Sequence, residues 1–95
     1  MKMQRTGIVV VAVLALAMAG GCASAAKVSK ARSSFKQARE LGAEQKAPYE
    51  YYAAEVYLEM AEHETEEGDS KQSGYFAEKA VNFAEQAIEK SGGAK

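Results

Sequence analysis

Few side chains in this 95-residue chain could do chemistry, and each can be weighed by its neighbours. There is one cysteine, Cys22, and one histidine, His63. A lone thiol excludes an intramolecular disulfide. His63 has Glu59 and Glu67 one helical turn away on either side, so three candidate ligands would share a helix face. Zinc wants three or four ligands with outer hydrogen-bond support, and one imidazole among carboxylates is better read as a solvated acidic helix end. Calcium wants a loop that wraps the ion, whereas these acids lie along a helix. No nucleophile–base pair can be assembled, and no glycine-rich phosphate loop is present. The expectation is no enzyme, no metal and no cofactor. What remains open to a functional reading is the tyrosines, Tyr49, Tyr51, Tyr52, Tyr57 and Tyr75.

The cysteine is informative by position. Met1–Arg5 carries Lys2 and Arg5, and Gly7–Gly21 then runs uncharged to small residues immediately before Cys22. A basic start, a short apolar run and small residues at the end are the parts of a secretory signal. Fifteen helical residues rise about 22 Å, short of the roughly 30 Å hydrocarbon core, so a stable membrane span is disfavoured. Met18-Ala19-Gly20-Gly21-Cys22 resembles a bacterial lipobox, with Ala19 where leucine is preferred. The resemblance implies cleavage before Cys22, which leaves residues 1–21 as signal peptide and 22–95 as the mature domain. It also implies two or three acyl chains on Cys22, palmitate among them. Two chains hold stably where one does not, at about 0.8 kcal/mol per buried CH₂. Ala23 rather than Asp follows the cysteine, which by the enterobacterial sorting rule implies the outer membrane, facing the periplasm.

Three amphipathic segments position whatever the mature domain presents. The first, Ser24–Leu41, sets Val28, Ala31, Phe35 and Ala38 on one stripe, and Gly42 then ends it. Ala43–Ala47 reads as a short connection. Pro48 suits the first turn of a second helix over 48–67. This helix has two apolar strips: Tyr49, Tyr52, Ala53, Val56, Tyr57 and Met60 on one side, Tyr51, Ala54, Leu58 and Ala61 on the other. A helix apolar on two faces is expected between two neighbours, with Tyr49, Tyr52 and Tyr57 packed in the core. Gly68-Asp69 closes it, and Asp69 with Gln72 resembles a capping box. The third helix, 70–90, carries Phe76, Ala77, Ala80, Phe83, Ala84, Ala87 and Ile88 on one side, before a frayed Ser91–Lys95 tail. The fold expected is all-α: a short three-helix antiparallel bundle, a hairpin loosely like a tetratricopeptide unit plus an N-terminal helix. A lone repeat of that kind lacks the neighbours it needs, so no peptide groove is inferred.

Charge fits that layout. Without Lys2 and Arg5, ten basic side chains face thirteen acidic ones, a net −3. Residues 27–46 carry +4, residues 50–69 carry −8, and residues 71–95 carry +1. A basic first helix and an acidic second attract when antiparallel. The negative mature domain and short basic stretch argue against nucleic acid.

From Ala25 to Ile88 the chain resembles the DUF4398 family, small helical domains of bacterial lipoproteins. The residues that carry this are Gly42-Ala43, Ala47-Pro48-Tyr49-Glu50, Ala53-Ala54-Glu55, Tyr57-Leu58 and Glu67-Gly68-Asp69. Ser70 stands where the family has tyrosine, and Gly74 interrupts its alanine-rich turn. The resemblance implies an envelope lipoprotein without an established activity.

The function expected is a non-enzymatic structural or interaction module, held on the membrane through Cys22, with an envelope protein or a second copy as partner. Alternatives are a peptidoglycan tether joined through Lys95, and a small-ligand or metal binder. For the tyrosines, the preferred reading has the first helix covering Tyr51, with Tyr75 an ordinary exposed aromatic; the other makes Tyr51, Leu58 and Tyr75 a partner surface. Lys27, Lys30 and Arg32 could touch anionic head groups, although balancing the acidic second helix is the simpler role. Each exposed ion pair is worth roughly 0.2–1 kcal/mol. High salt should therefore lower the thermal midpoint slightly, and an unchanged midpoint would make inter-helix charge pairing unimportant.

Overall fold

The structure, a computed structural model, describes residues 22–92. Residues 1–21, with Ala19, Gly20 and Gly21, and residues 93–95, with Lys95, lie outside the described residues. Within them the protein is all-α: α1 (residues 22–40), α2 (Ala43–Lys46), α3 (Pro48–Glu66) and α4 (Ser70–Lys90). The three long helices run up, down and up as a bundle. The connection after α1 differs from expectation, because it contains the single turn α2.

Each long helix buries a seam stepped alternately by four and three residues. On α1 it is Ser24, Val28, Ala31, Phe35 and Ala38; on α3, Tyr51, Ala54, Leu58 and Ala61; on α4, Ser73, Ala77, Ala80, Ala84 and Ala87. A period near 3.5 residues keeps a seam facing its neighbours along the helix and suits knobs-into-holes packing. Nothing on the α4 seam is larger than serine, so the other helices can come close to its backbone. Val28, Phe35, Tyr51, Leu58 and Ile88 fill the space between, with the Phe35 and Tyr51 rings 4.8 Å apart between centroids.

The corners are fixed by backbone chemistry. Gly42 is left-handed at φ +78°, and its N–H donates to the Arg39 carbonyl at 3.0 Å. Its own carbonyl accepts from the N–H groups of Gln45 and Lys46, so one glycine ends α1 and starts α2. Pro48 opens α3, where its missing N–H costs nothing. Gly68, also at φ +78°, closes α3: its N–H reaches Thr65, and that of Asp69 reaches Glu64. This is a Schellman ending. Asp69 Oδ1 then accepts from the Gln72 N–H at 3.0 Å and caps α4. Only this half of the expected capping box forms, because the Asp69 N–H is already committed to Glu64. Inside the hairpin, the hydroxyls of Thr65 and Ser73 meet each other and both donate to the Ala61 carbonyl. α4 runs unbroken through Ser70 and Gly74, and the Lys27 side chain lies over the glycine.

One expectation reverses. α3 packs into the core through one strip, and from the other strip Tyr49 and Tyr57 reach the α4 rings of Phe76 and Phe83. Three helices that share one core meet along one seam each, so α1 and α4 both sit against the Tyr51–Ala54–Leu58–Ala61 strip. The other strip faces outward, and Tyr49 and Tyr52 are not core residues.

Three ion pairs join the helices: Lys27 to Glu78 at 2.7 Å, Arg32 to Glu62 at 2.7 Å, and Lys90 to Glu50 at 2.8 Å. The basic α1 thus serves α4 as well as α3. The first two pairs are exposed. Glu50 is different, since its carboxylate is buried and Lys90 Nζ reaches both oxygens. Removing Lys90 strands a buried charge, whereas removing Lys27 returns Glu78 to water. Lys90→Ala should cost about 1.5–3 kcal/mol in denaturant unfolding, and Lys27→Ala about 0.2–1 kcal/mol.

Candidate functional site

One strip of α3 leaves several large apolar side chains uncovered. Tyr49 is 73% exposed and Val56 51%, with Tyr52 and Met60 exposed beside them. A shallow groove is lined by Pro48, Tyr49, Tyr52, Ala53, Val56, Tyr57 and Met60. It continues along the helix past Glu59, His63 and Glu64 to Phe76 of α4. Tyr49, Ala53, Val56 and Met60 again step by four, three and four, the spacing that receives another helix.

Aromatic rings hold this face in shape. Tyr57 stacks on Phe83 at 5.7 Å with planes 5° apart, and Phe76 lies 6.2 Å from Tyr57 on the other side. Tyr49 meets Phe83 edge-on at 6.1 Å. Phe76, Phe83 and Tyr57 are half-buried, which makes them the floor of the face, while Tyr49, Val56 and Met60 stand above it. At one end the Tyr52 hydroxyl donates to Glu44 of α2 at 3.3 Å. The negative charge of Glu44, with some desolvation and that hydrogen bond, raises the Tyr52 phenol above its ordinary pKa. On the opposite side, Arg39 lies 5.0 Å over the Phe35 ring and donates to the Tyr51 hydroxyl, a bond that raises the Arg39 pKa.

The residues named from sequence fall in different places. Tyr51 is 4% exposed and Leu58 8%, so neither can line a partner surface. α1 covers them, and only Tyr75 of that set is exposed. Tyr75 lies against Phe76 with Lys79 5.5 Å over its ring. His63 and Glu67 are 3.9 Å apart, and among the described residues no three His, Cys, Asp or Glu are placed to hold a metal ion. Cys22 is an exposed free thiol at the start of described α1. Ala19, Gly20, Gly21 and Lys95 cannot be placed, being outside the described residues. No described helix is long and apolar enough to cross a membrane.

The family model for the domain of unknown function DUF4398 matches residues 26–95. The chain belongs to the DUF4398 family. Comparison with curated proteins gave no match, and comparison with solved structures gave none either. In this DUF4398 domain most of the short motifs are structural. Ala47 is buried, Pro48 starts α3, Glu50 anchors Lys90, and Gly68-Asp69 turns α3 into α4. Tyr49 is the exception within its motif, since it stands in solvent.

The orientation of α3 in this DUF4398 domain has a direct check. Leu58→Ala should cost about 2–5 kcal/mol, as a truncation in a packed core does. On the dilute, monomeric domain, Val56→Ala and Met60→Ala should stay within about 0.5 kcal/mol of the parent, as exposed sites do. Equal losses in chemical denaturation would place both strips inside.

Proposed function

We propose that this DUF4398 protein is a lipid-anchored lipoprotein of the bacterial envelope, whose helical domain works as a non-enzymatic interaction module through the outer face of α3. The observation that carries the reading is Cys22: the only cysteine, next to a secretory-type leader, and exposed where the helical domain begins. Ser24, two residues later, is already buried in the α1 seam, so no tether separates anchor from fold. Lys27 reaches Glu78 and lies over Gly74, which sets the start of α1 level with the α3–α4 turn. Anchoring would bring that turn toward the bilayer and leave the corner with Pro48 and Tyr49 farthest from it. Lys27 and Arg32 are paired with glutamates within the domain, which favours a balancing role over lipid contact. Ala23 favours the outer membrane and a domain in the periplasm.

Interaction rather than catalysis is supported by the kind of surface left open, apolar and aromatic at helical spacing. Replacing Cys22 by serine tests the anchor. The Cys22→Ser protein should keep its leader and accumulate as a slower-migrating precursor without the acylated form, whereas the parent is shortened and partitions into detergent. Normal processing and membrane sedimentation of the serine variant would overturn the reading.

A further inference from the structure

The outer face of the α3–α4 hairpin is self-complementary in charge. α3 carries Glu50, Glu55, Glu59, Glu62, Glu64 and Glu66 with no lysine or arginine. Of these, Glu59 lines the groove beside Val56 and Met60. α4 presents Lys79 one turn beyond Phe76, and among the described residues no carboxylate pairs with it. The α3 edge of the face is therefore acidic and the α4 edge offers one lysine free of an ion pair, Lys79, with Tyr49, Val56, Met60 and the Tyr57–Phe83 stack between them.

We infer that a second copy of this chain covers the face, with α3 of each copy lying antiparallel on α4 of the other about a two-fold axis parallel to the helices. A two-fold contact must match itself: whatever residue i meets, its equivalent meets in return. Laying α3 on α3 would set glutamates against glutamates, and like charges at close range destabilise. Laying α3 on the other copy's α4 brings each Glu59 to the other copy's Lys79. The levels agree without a slide along the axis. Within the hairpin Glu50 meets Lys90, and Ala61 and Thr65 meet Ser73. Between those rungs, Glu59 is level with Lys79 to within about one turn, roughly 5.4 Å.

The same axis keeps both α1 starts at one end of the assembly. Two chains anchored in one membrane through Cys22 could pair this way, whereas an axis across the helices would point one anchor away from the bilayer. This last point rests on the lipoprotein reading; the charge match does not. The result is a four-helix core of two hairpins, with the two α1 helices outside it.

The test uses the full-length protein in bacterial cells, with a photoreactive phenylalanine analogue in place of the exposed Val56. Irradiation should give an adduct of twice the chain mass whose cross-linked fragment comes from α4. Glu59→Lys and Lys79→Glu should each reduce its yield by roughly three- to tenfold, and the double exchange should restore it. Circular dichroism of detergent-extracted protein controls for folding, and the rescue by the double exchange cannot come from a misfolded chain. An adduct only with a protein of another mass, or a double exchange as poor as either single one, overturns the pairing. Anchoring is read separately by fractionating the same cells. A doubled adduct from a soluble chain would uphold the pairing and sink the anchor, and a membrane-bound chain that gives none would do the reverse.

Discussion

Close approach of three helix backbones along alanine seams is the constraint from which the other features follow. A domain of this size has little apolar area to bury, and small domains are marginal for that reason. Alanine contributes little area per residue. It also loses no side-chain entropy in a helix and lets neighbouring backbones come near. Phe35, Tyr51 and Leu58 can then fill the narrow space that remains. The seams are demanding in return. Ala31, Ala38, Ala54, Ala61, Ala77, Ala80, Ala84 and Ala87 are all fully buried, and a larger side chain at any of them would push helices apart.

Once the seams are in contact, the polar parts have fixed partners. Thr65 and Ser73 close over the Ala61 carbonyl at one end of the hairpin, and Lys90 clamps Glu50 at the other. The two together set the register of α3 against α4, while Lys27 and Arg32 place α1 across both. Because α3 spends the Tyr51–Ala54–Leu58–Ala61 strip on this core, Tyr49, Tyr52, Val56 and Met60 are left outside. The exposed face is thus a consequence of how the core is built, and the stacked rings of Tyr57 and Phe83 give it a firm floor.

Much of the fold could be read from the residues. Gly42, Pro48 and Gly68-Asp69 mark helix ends by chemistry that works locally, so each corner was legible without knowing the neighbours. The α1 seam was legible because it is the single apolar stripe on a polar helix. The rotation of α3 was not. Its strips at 49, 53, 56, 60 and at 51, 54, 58, 61 have the same period, and periodicity cannot choose between them. Only packing against the neighbouring helices decides: Tyr51, Ala54, Leu58 and Ala61 are buried, and Tyr49, Val56 and Met60 are exposed. α2 was missed because one turn is too short to show a period. Tyr51 lies against Phe35 of α1 and Tyr75 is exposed, as the preferred reading of the tyrosines has it, so Tyr51, Leu58 and Tyr75 form no common surface.

The anchor joins this architecture to its proposed place in the cell. With no spacer between Cys22 and the first buried residue, a lipid on that sulfur would hold the bundle close to the bilayer. The intact mass of protein extracted from bacterial membranes with detergent bears on this most directly. The expected species begins at Cys22 and is heavier than its amino-acid sequence by two or three acyl chains. A species that retains residues 1–21 with an unmodified thiol would contradict it.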